Sequence, residues 1–301
     1  MTSIDNHLIA IFAITLFAAT VNGGLGYGFS SLTVPLALLF LSNKVLSPAL
    51  VLIELAINTL LVAQNRQSLA AARRRALPII IGLVPGVLIG SYLLTSVNPA
   101  VLKLWTYIVL LPLILSQAAG YRRPIRAEHA AGLPLGLGVG VLYSTTTISG
   151  PPLALMFNNQ GVDKNEFRAA LGAVRFVETS MTAVVYFALG LFSSQSVRLM
   201  VPIAPAVLIG LPLGAYVIRH VRAETFRRVC MSFDAWIVGF GLARTIIELR
   251  LLAASGAYCI WAGVIMFDLY LLYGYFVLGR MHPSMGSTAP SQLGEPVAVS
   301  R

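Results

Sequence analysis

Nine apolar segments fill most of this 301-residue chain, and they constrain its fold more than any other feature. They are residues 8–41, 45–63, 76–96, 101–119, 131–158, 169–192, 199–218, 229–247 and 251–279. A helix needs about 20 mostly apolar residues to cross a bilayer, and it satisfies its own backbone in lipid. Only 11% of the residues are charged, against about 25% in soluble proteins. The sequence therefore predicts an all-α integral membrane protein.

Two of these segments are interrupted. The first contains VNGGLGYGFSSLTVPLALLF (21–40), and the second contains ISGPPLALMF (148–157). A helix broken at glycine exposes N–H and C=O groups that lipid cannot satisfy, so each break must face protein or a water-filled cavity. The glycine spacing also resembles a phosphate-binding loop, but no strand–helix–strand pattern surrounds it. We therefore interpret both interruptions as breaks inside membrane helices.

The sequence repeats itself at an offset of about 120 residues. VPLALLFL (34–41) is similar to PPLALMFN (151–158), and GVLIGSY (86–92) is similar to GLPLGAY (210–216). The GxxxG spacing in the second pair allows helices to approach closely, which we interpret as packing. Each half then holds one broken segment followed by three full helices. The predicted organisation is a first repeat (1–120), a second repeat (121–250), an appended transmembrane helix (251–280) and a disordered tail (281–301).

Positive charge indicates how the two halves are oriented, because cytoplasmic loops carry an excess of Lys and Arg. If each broken segment crosses once, the two sides receive ten basic residues each. If each broken segment instead returns to its starting side as a hairpin, one side receives fifteen and the other five. The five are Lys44, Lys103, Arg198, Arg244 and Arg250. The sequence thus predicts two inverted-topology repeats in a bacterial inner membrane, with the N-terminus outside and the C-terminus cytoplasmic.

Two breaks in corresponding positions of inverted repeats point to a transport site near the membrane midplane. The helix N-termini that follow the breaks can bind an anion through free N–H groups and the helix dipole. The predicted substrate-binding residues are Gly24, Gly26, Gly28, Ser30, Ser31, Thr145, Thr146, Thr147, Ser149, Gly150, Pro151 and Arg175. The alternative is that these small residues only ease tight helix packing.

Several ionisable residues fall inside apolar segments, where they are costly and usually face an interior or a cavity. The repeat offset places Glu54 opposite Arg175, so these two side chains can meet across the pseudo-two-fold axis. Arg175 can also pair with Glu178 on its own helix face. Either Arg175 binds the substrate while a carboxylate carries protons, or the group is a structural ion pair. The predicted proton-coupling or ion-pair residues are Glu54, Asn58, Glu178 and Asp234.

Asp234 is expected near a helix start, and Asp268, in the appended helix, is expected to be a helix-packing or lipid-interface residue. The four histidines lie in predicted loops or tails, so we expect no metal site and no cofactor. No arrangement of a nucleophile with partnered carboxylates is evident, so we expect no catalytic residues and no enzyme activity. The net charge of +10 comes from clusters between apolar segments, which argues against nucleic-acid binding. The expected partners are a small anionic substrate and the lipid bilayer. The sequence leaves open whether the protein forms a homo-oligomer.

The chain resembles the TauE/SafE sulfite-exporter family of bacterial membrane transporters. The resemblance rests on GGLGYGFSSLTVPLALLFL, on SGPPLALMFNNQGVDKNEFRAALGAV and on the GxxxG-containing helices, and it spans about residues 8–250. It implies a permease that exports sulfite, an organosulfonate or another small organic anion. Carried onto this sequence, the family pattern points to Gly24, Gly26, Gly28 and Pro35, and to Gly150, Pro151 and Pro152. A passive anion channel with the same hairpins, and a membrane-embedded enzyme, are the alternative functions.

Overall fold

The computed structural model describes residues 2–119, 128–159, 164–221 and 223–277, and their regular structure is entirely helical. The helices are α1 (Thr2–Leu25), α2 (Phe29–Ala37), α3 (Asn43–Gln64), α4 (Leu69–Ser96), α5 (Pro99–Ala118), α6 (Glu128–Thr146), α7 (Gly150–Asn159), α8 (Lys164–Ala188), α9 (Ser194–Val217), α10 (Ala223–Glu248) and α11 (Ala254–Phe276). A 3₁₀ turn, Arg66–Ser68, precedes α4. The predicted tail, 281–301, lies outside the described residues.

Eight helices in the described part of the chain are long and apolar enough to cross a membrane. They are α1, α3, α4, α5, α8, α9, α10 and α11. The integral membrane class predicted from the sequence is therefore confirmed. One detail differs, because α1 runs through the first glycines to Leu25 and reaches a crossing length before the chain breaks.

The first break lies between α1 and α2, where Gly26 and Gly28 have φ angles of +83° and +107°. L-residues with a side chain rarely adopt such angles, which explains the glycines. The chain reverses there, since a Cβ on Gly28 would lie 3.4 Å from the side chain of Val21. The second break, between α6 and α7, uses Thr147 with a φ of +60°. A β-branched residue in this region is a true outlier, and such strain concentrates at functional sites.

Equivalent points of the two breaks lie 121 residues apart. Leu25 and Thr146 end the first helices, and Gly26 and Thr147 carry the positive φ angles. The resemblance of VPLALLFL to PPLALMFN has an offset of 117 residues, four fewer than the structural offset. Four residues are about one helical turn, so an apolar helix shifted by that amount presents the same face. The structural offset also relates Glu54 to Arg175.

Helices of one half pack against helices of the other half, and glycines determine how closely these helices approach. A Cβ on Gly82 would collide with the carbonyl of Leu133, and one on Gly90 would collide with Ser144, so α4 and α6 run parallel. Their counterparts α1 and α9 are also parallel, because Gly210 faces Ala19 and Gly214 faces Thr20 and Gly24. The predicted close approach at the GxxxG segments is confirmed.

In two further pairs, a helix of the first half packs against its repeat counterpart in the second half. Glu54 meets Arg175, and Leu61 meets Gly172, so α3 and α8 run antiparallel. α5 and α10 are antiparallel as well, because Tyr107 faces Gly241 and the Ala118 carbonyl accepts a 3.0 Å hydrogen bond from Arg228.

The appended helix α11 is attached to α10 by polar contacts. Asp268 is fully buried and accepts hydrogen bonds from the Ser232 hydroxyl at 3.0 Å and from the Trp236 indole at 2.9 Å. The packing role expected of Asp268 is therefore confirmed.

Candidate anion site

The two helix breaks meet each other in the middle of the molecule. A Cβ on Gly150, at the start of α7, would lie 3.5 Å from Tyr27 and 3.8 Å from the backbone nitrogen of Gly28. Both short helices therefore begin at nearly the same place, one from each half. Ser30 and Ser149, beside these starts, are 3% and 0% exposed.

A buried ion pair lies beside this meeting point. Arg175 of α8 donates to Glu54 of α3 over 2.6 Å, and the two side chains are 2% and 0% exposed. The Ser30 hydroxyl donates to the same carboxylate oxygen of Glu54. The Glu54–Arg175 contact predicted from the repeat offset is thus confirmed, and it links the first break to both halves.

Glu178 lies one turn further along α8 and interacts with the second break. Its carboxylate accepts a 2.5 Å hydrogen bond from the hydroxyl of Ser149. Arg175 forms its salt bridge with Glu54 and none with Glu178, so the i,i+3 pairing considered from the sequence is wrong. Each break therefore supplies one serine to one buried carboxylate.

Several polar atoms of the ion pair and of residues close to it have no hydrogen-bond partner among the described residues. They are Nε and Nη1 of Arg175, Oε2 of Glu54, Oε1 of Glu178 and both amide atoms of Asn58. A buried polar atom without a partner costs about 1–3 kcal/mol. A cluster of such buried atoms is typical of a functional site that binds a polar ligand.

Some of the predicted residues have other roles in this conformation. The hydroxyls of Ser31, Thr145 and Thr146 bond to carbonyls within their own segments. The hydroxyl of Thr147 lies 2.6 Å from the carbonyl of Thr146. Gly24 provides space at the contact of α1 with α9 and α10, since a Cβ there would lie 3.1 Å from Phe226.

Two more of the predicted positions occupy distinct places. Pro151 lies in the first turn of α7, where its missing N–H costs no helical hydrogen bond. Asp234 lies in the middle of α10 rather than near a helix start, which corrects that expectation. It is fully buried, and neither carboxylate oxygen has a hydrogen-bond partner among the residues that the structure describes.

Sequence reasoning missed Asn43 and Tyr143. The Asn43 amide donates to the carbonyl of Thr145 over 3.0 Å and so ties the start of α3 to the second break. Tyr143 is fully buried and lies within electrostatic reach of Glu54, Glu178 and Arg175. Neither residue interrupts an apolar pattern. Only the offset of 121 residues, which pairs Tyr143 with Asn22, could have drawn attention to Tyr143.

Comparison with known proteins gives one match. The family model described as "Sulfite exporter TauE/SafE" matches residues 11–242, which include both helix breaks and the Glu54–Arg175 pair. No curated protein and no solved structure matches the chain.

Proposed function

Because the chain belongs to the sulfite exporter TauE/SafE family, we propose that it is a secondary transporter that exports sulfite, an organosulfonate or another small organic anion. The family consists of membrane transporters rather than enzymes. The match covers all the residues that form the buried ion pair and its serines. It does not extend over α11, which is an addition to the family unit.

The observation that carries the proposal is the state of Arg175. It is 2% exposed, yet two of its three guanidinium nitrogens have no hydrogen-bond partner in the described part of the chain. Guanidinium is always charged and presents five N–H donors in a fork that fits an oxyanion. Ser30 and Ser149 lie nearby as further hydroxyl donors. This arrangement suits a small anion with several oxygens.

We also propose that the repeats are inverted and that each break is a hairpin. If consecutive long helices alternate in direction, α3 and α6 run oppositely. The antiparallel α3–α8 pair then gives α8 the direction of α6, so α7 must return the chain. The parallel α1–α9 pair implies the same return by α2. Together with the fifteen-to-five charge distribution, this supports our proposal that the N-terminus lies outside and the C-terminus in the cytoplasm of a bacterial inner membrane.

The ion pair suggests how a proton accompanies the anion. A buried carboxylate left ionised without its partner is strongly unfavourable. When an anion takes Arg175, Glu54 must therefore release the guanidinium and accept a proton. The site with its bound anion and proton then carries the same net charge as the empty site. We propose that a monoanion and a proton move together.

Enclosure of the site favours a carrier over a passive channel. Glu54 and Arg175 are almost inaccessible to solvent, so this conformation contains no open path through them. Alternating access by one repeat rocking against the other would expose the site to each side in turn. A carrier exchanges labelled substrate for unlabelled substrate against a gradient, whereas a pore does not.

The test is transport by proteoliposomes offered sulfite, sulfate, sulfoacetate, methanesulfonate and lactate. We expect one sulfur oxyanion to be transported with saturation and counterflow. Arg175→Gln, folded by gel filtration, should abolish transport, while the exposed control Arg198→Gln retains it. Movement of lactate alone would refute the sulfur substrate, and full activity of Arg175→Gln would refute the site.

Proton movement is tested with methanesulfonate, whose charge is constant over the pH range used. We expect an acidic donor side to accelerate its flux and a potassium–valinomycin clamp to leave the flux unchanged. Glu54→Gln should remove the pH dependence. A flux that follows membrane potential and ignores pH would exclude the proposed proton movement.

A further inference from the structure

A partly open cavity lies next to the first helix break. It has a volume of about 330 Å³ and is lined by residues of α1, α3, α8 and α9. Its polar lining is Asn22, Gln64 and Arg168. Among the described residues, Arg168 is the only charged one that lines the cavity, and no carboxylate does.

Arg168 is available to bind a ligand. It is half-buried, and it has no ion-pair or hydrogen-bond partner among the residues that the structure describes. A Cβ on Gly26 would lie 3.9 Å from its Nε, which shows how closely the break approaches the guanidinium. A positive charge held in a partly enclosed cavity without a counter-ion attracts anions.

Asn22 provides an independent indication of a ligand. Its side chain is 4% exposed and lines the cavity, and its amide oxygen has no partner among the described residues. An amide can rotate by a half-turn and present its two N–H donors instead. The buried amide of Asn22 and the guanidinium of Arg168 line the same cavity and can both donate hydrogen bonds to an oxyanion.

The cavity lies on the route to the buried ion pair. Arg168 and Arg175 are seven residues apart on α8, so they share one helix face about 10 Å apart. Gly172 lies between them and packs against Leu61, which also lines the cavity. The Leu61 side chain therefore separates the two arginines in this conformation.

The cavity is not repeated in the other half. The residues 121 positions from Arg168 and Asn22 are Ser47 and Tyr143, which are buried and carry no positive charge. The cavity lies at the end of the bundle where α1, α3 and α9 end and α8 begins. The topology proposed from the charge distribution assigns that end to the cytoplasm.

We infer that Arg168 and Asn22 form a cytoplasmic loading site, which binds the transported oxyanion before Leu61 moves and Arg175 receives it. The inference rests on the proposed transport of anions. It gives the transporter an asymmetry, since the anion is captured by a fixed charge on the cytoplasmic side only. The same chemistry fits the phosphate of an anionic lipid, because Leu60 and Leu208 at the cavity edge are exposed to the bilayer.

Binding is tested in an Arg175→Gln background, where the buried site is disabled. Radiolabelled sulfite is titrated onto this protein in a phosphate-free detergent. We expect saturable binding that Arg168→Gln weakens by about ten- to a hundredfold, the loss of one charge-assisted hydrogen bond. Arg168→Lys should restore part of it, and the exposed control Arg219→Gln should not change it.

Added phosphatidylglycerol identifies the occupant. Sulfite binding that survives this lipid supports the loading site. Absence of Arg168-dependent sulfite binding, or binding of the lipid alone, would overturn it. Neither result affects wild-type transport, so a failure of the loading site is distinguishable from a failure of the proposed function.

Transport gives a second readout in wild-type background. Arg168→Gln should raise the half-saturating sulfite concentration on the cytoplasmic side about tenfold or more and leave the value on the other side unchanged. An equal change on both sides would contradict a loading role.

Discussion

The Glu54–Arg175 pair allows one prediction to be worked in detail, because both partners are almost fully buried and 2.6 Å apart. Removing one partner of a buried pair costs about 3–5 kcal/mol, since the other charge is left without compensation. Glu54→Gln should approach the upper limit, because the guanidinium of Arg175 cannot lose its proton. Arg175→Gln should cost less, because Glu54 can neutralise itself by binding a proton.

The double variant Glu54→Gln/Arg175→Gln should recover at least half of this loss, because two neutral amides leave no buried charge. For a chain of this size, about 2 °C of melting temperature corresponds to 1 kcal/mol. We therefore expect Glu54→Gln to lower the melting temperature by roughly 6–10 °C.

The assay is thermal unfolding of the detergent-purified protein, followed by the fraction that stays monodisperse after heating. The four proteins of the cycle are measured at one pH and one detergent concentration. Losses that simply add in the double variant would refute the coupling of the two residues. Single variants within 1 °C of wild type would show that the pair contributes nothing to stability.

Four other predictions follow from single positions. Gly214→Ala should lower the melting temperature by several degrees, because its Cβ collides with α1, whereas Gly138→Ala, with nothing within 4 Å, should leave it unchanged or raise it. Gly28→Ala should impair transport more than folding, because a φ of +107° strains the start of α2 by about 1–3 kcal/mol; equal transport rates would argue against this. A single cysteine at Ser194, in a Cys-free background, should react with an impermeant maleimide from outside, and reaction only from inside would reverse the proposed topology. Asp268→Leu removes the two hydrogen bonds that the Asp268 carboxylate accepts from α10 and should make α11 more sensitive to protease without abolishing anion transport.

The sequence by itself determined the membrane class, the positions of the breaks and the pairing of Glu54 with Arg175. These depend on local or additive properties, namely apolar length, glycine conformational freedom and a repeat offset. The repeat offset of about 120 residues agrees with the structural offset of 121. The apolar letters of α2 and α7 match best at 117 residues, because an apolar helix keeps its face when shifted by four residues.

Tertiary structure alone decided which hydroxyls act at the site. Ser30 and Ser149 reach carboxylates, whereas Thr145 and Thr146 bond back to their own helix. A serine or threonine hydroxyl inside a helix can bond either to a carbonyl of its own helix or to a group on a neighbouring helix. Which bond forms depends on the groups that the neighbouring helix presents. The cavity around Arg168 is likewise invisible in the sequence, because it exists only where four helices from both halves converge.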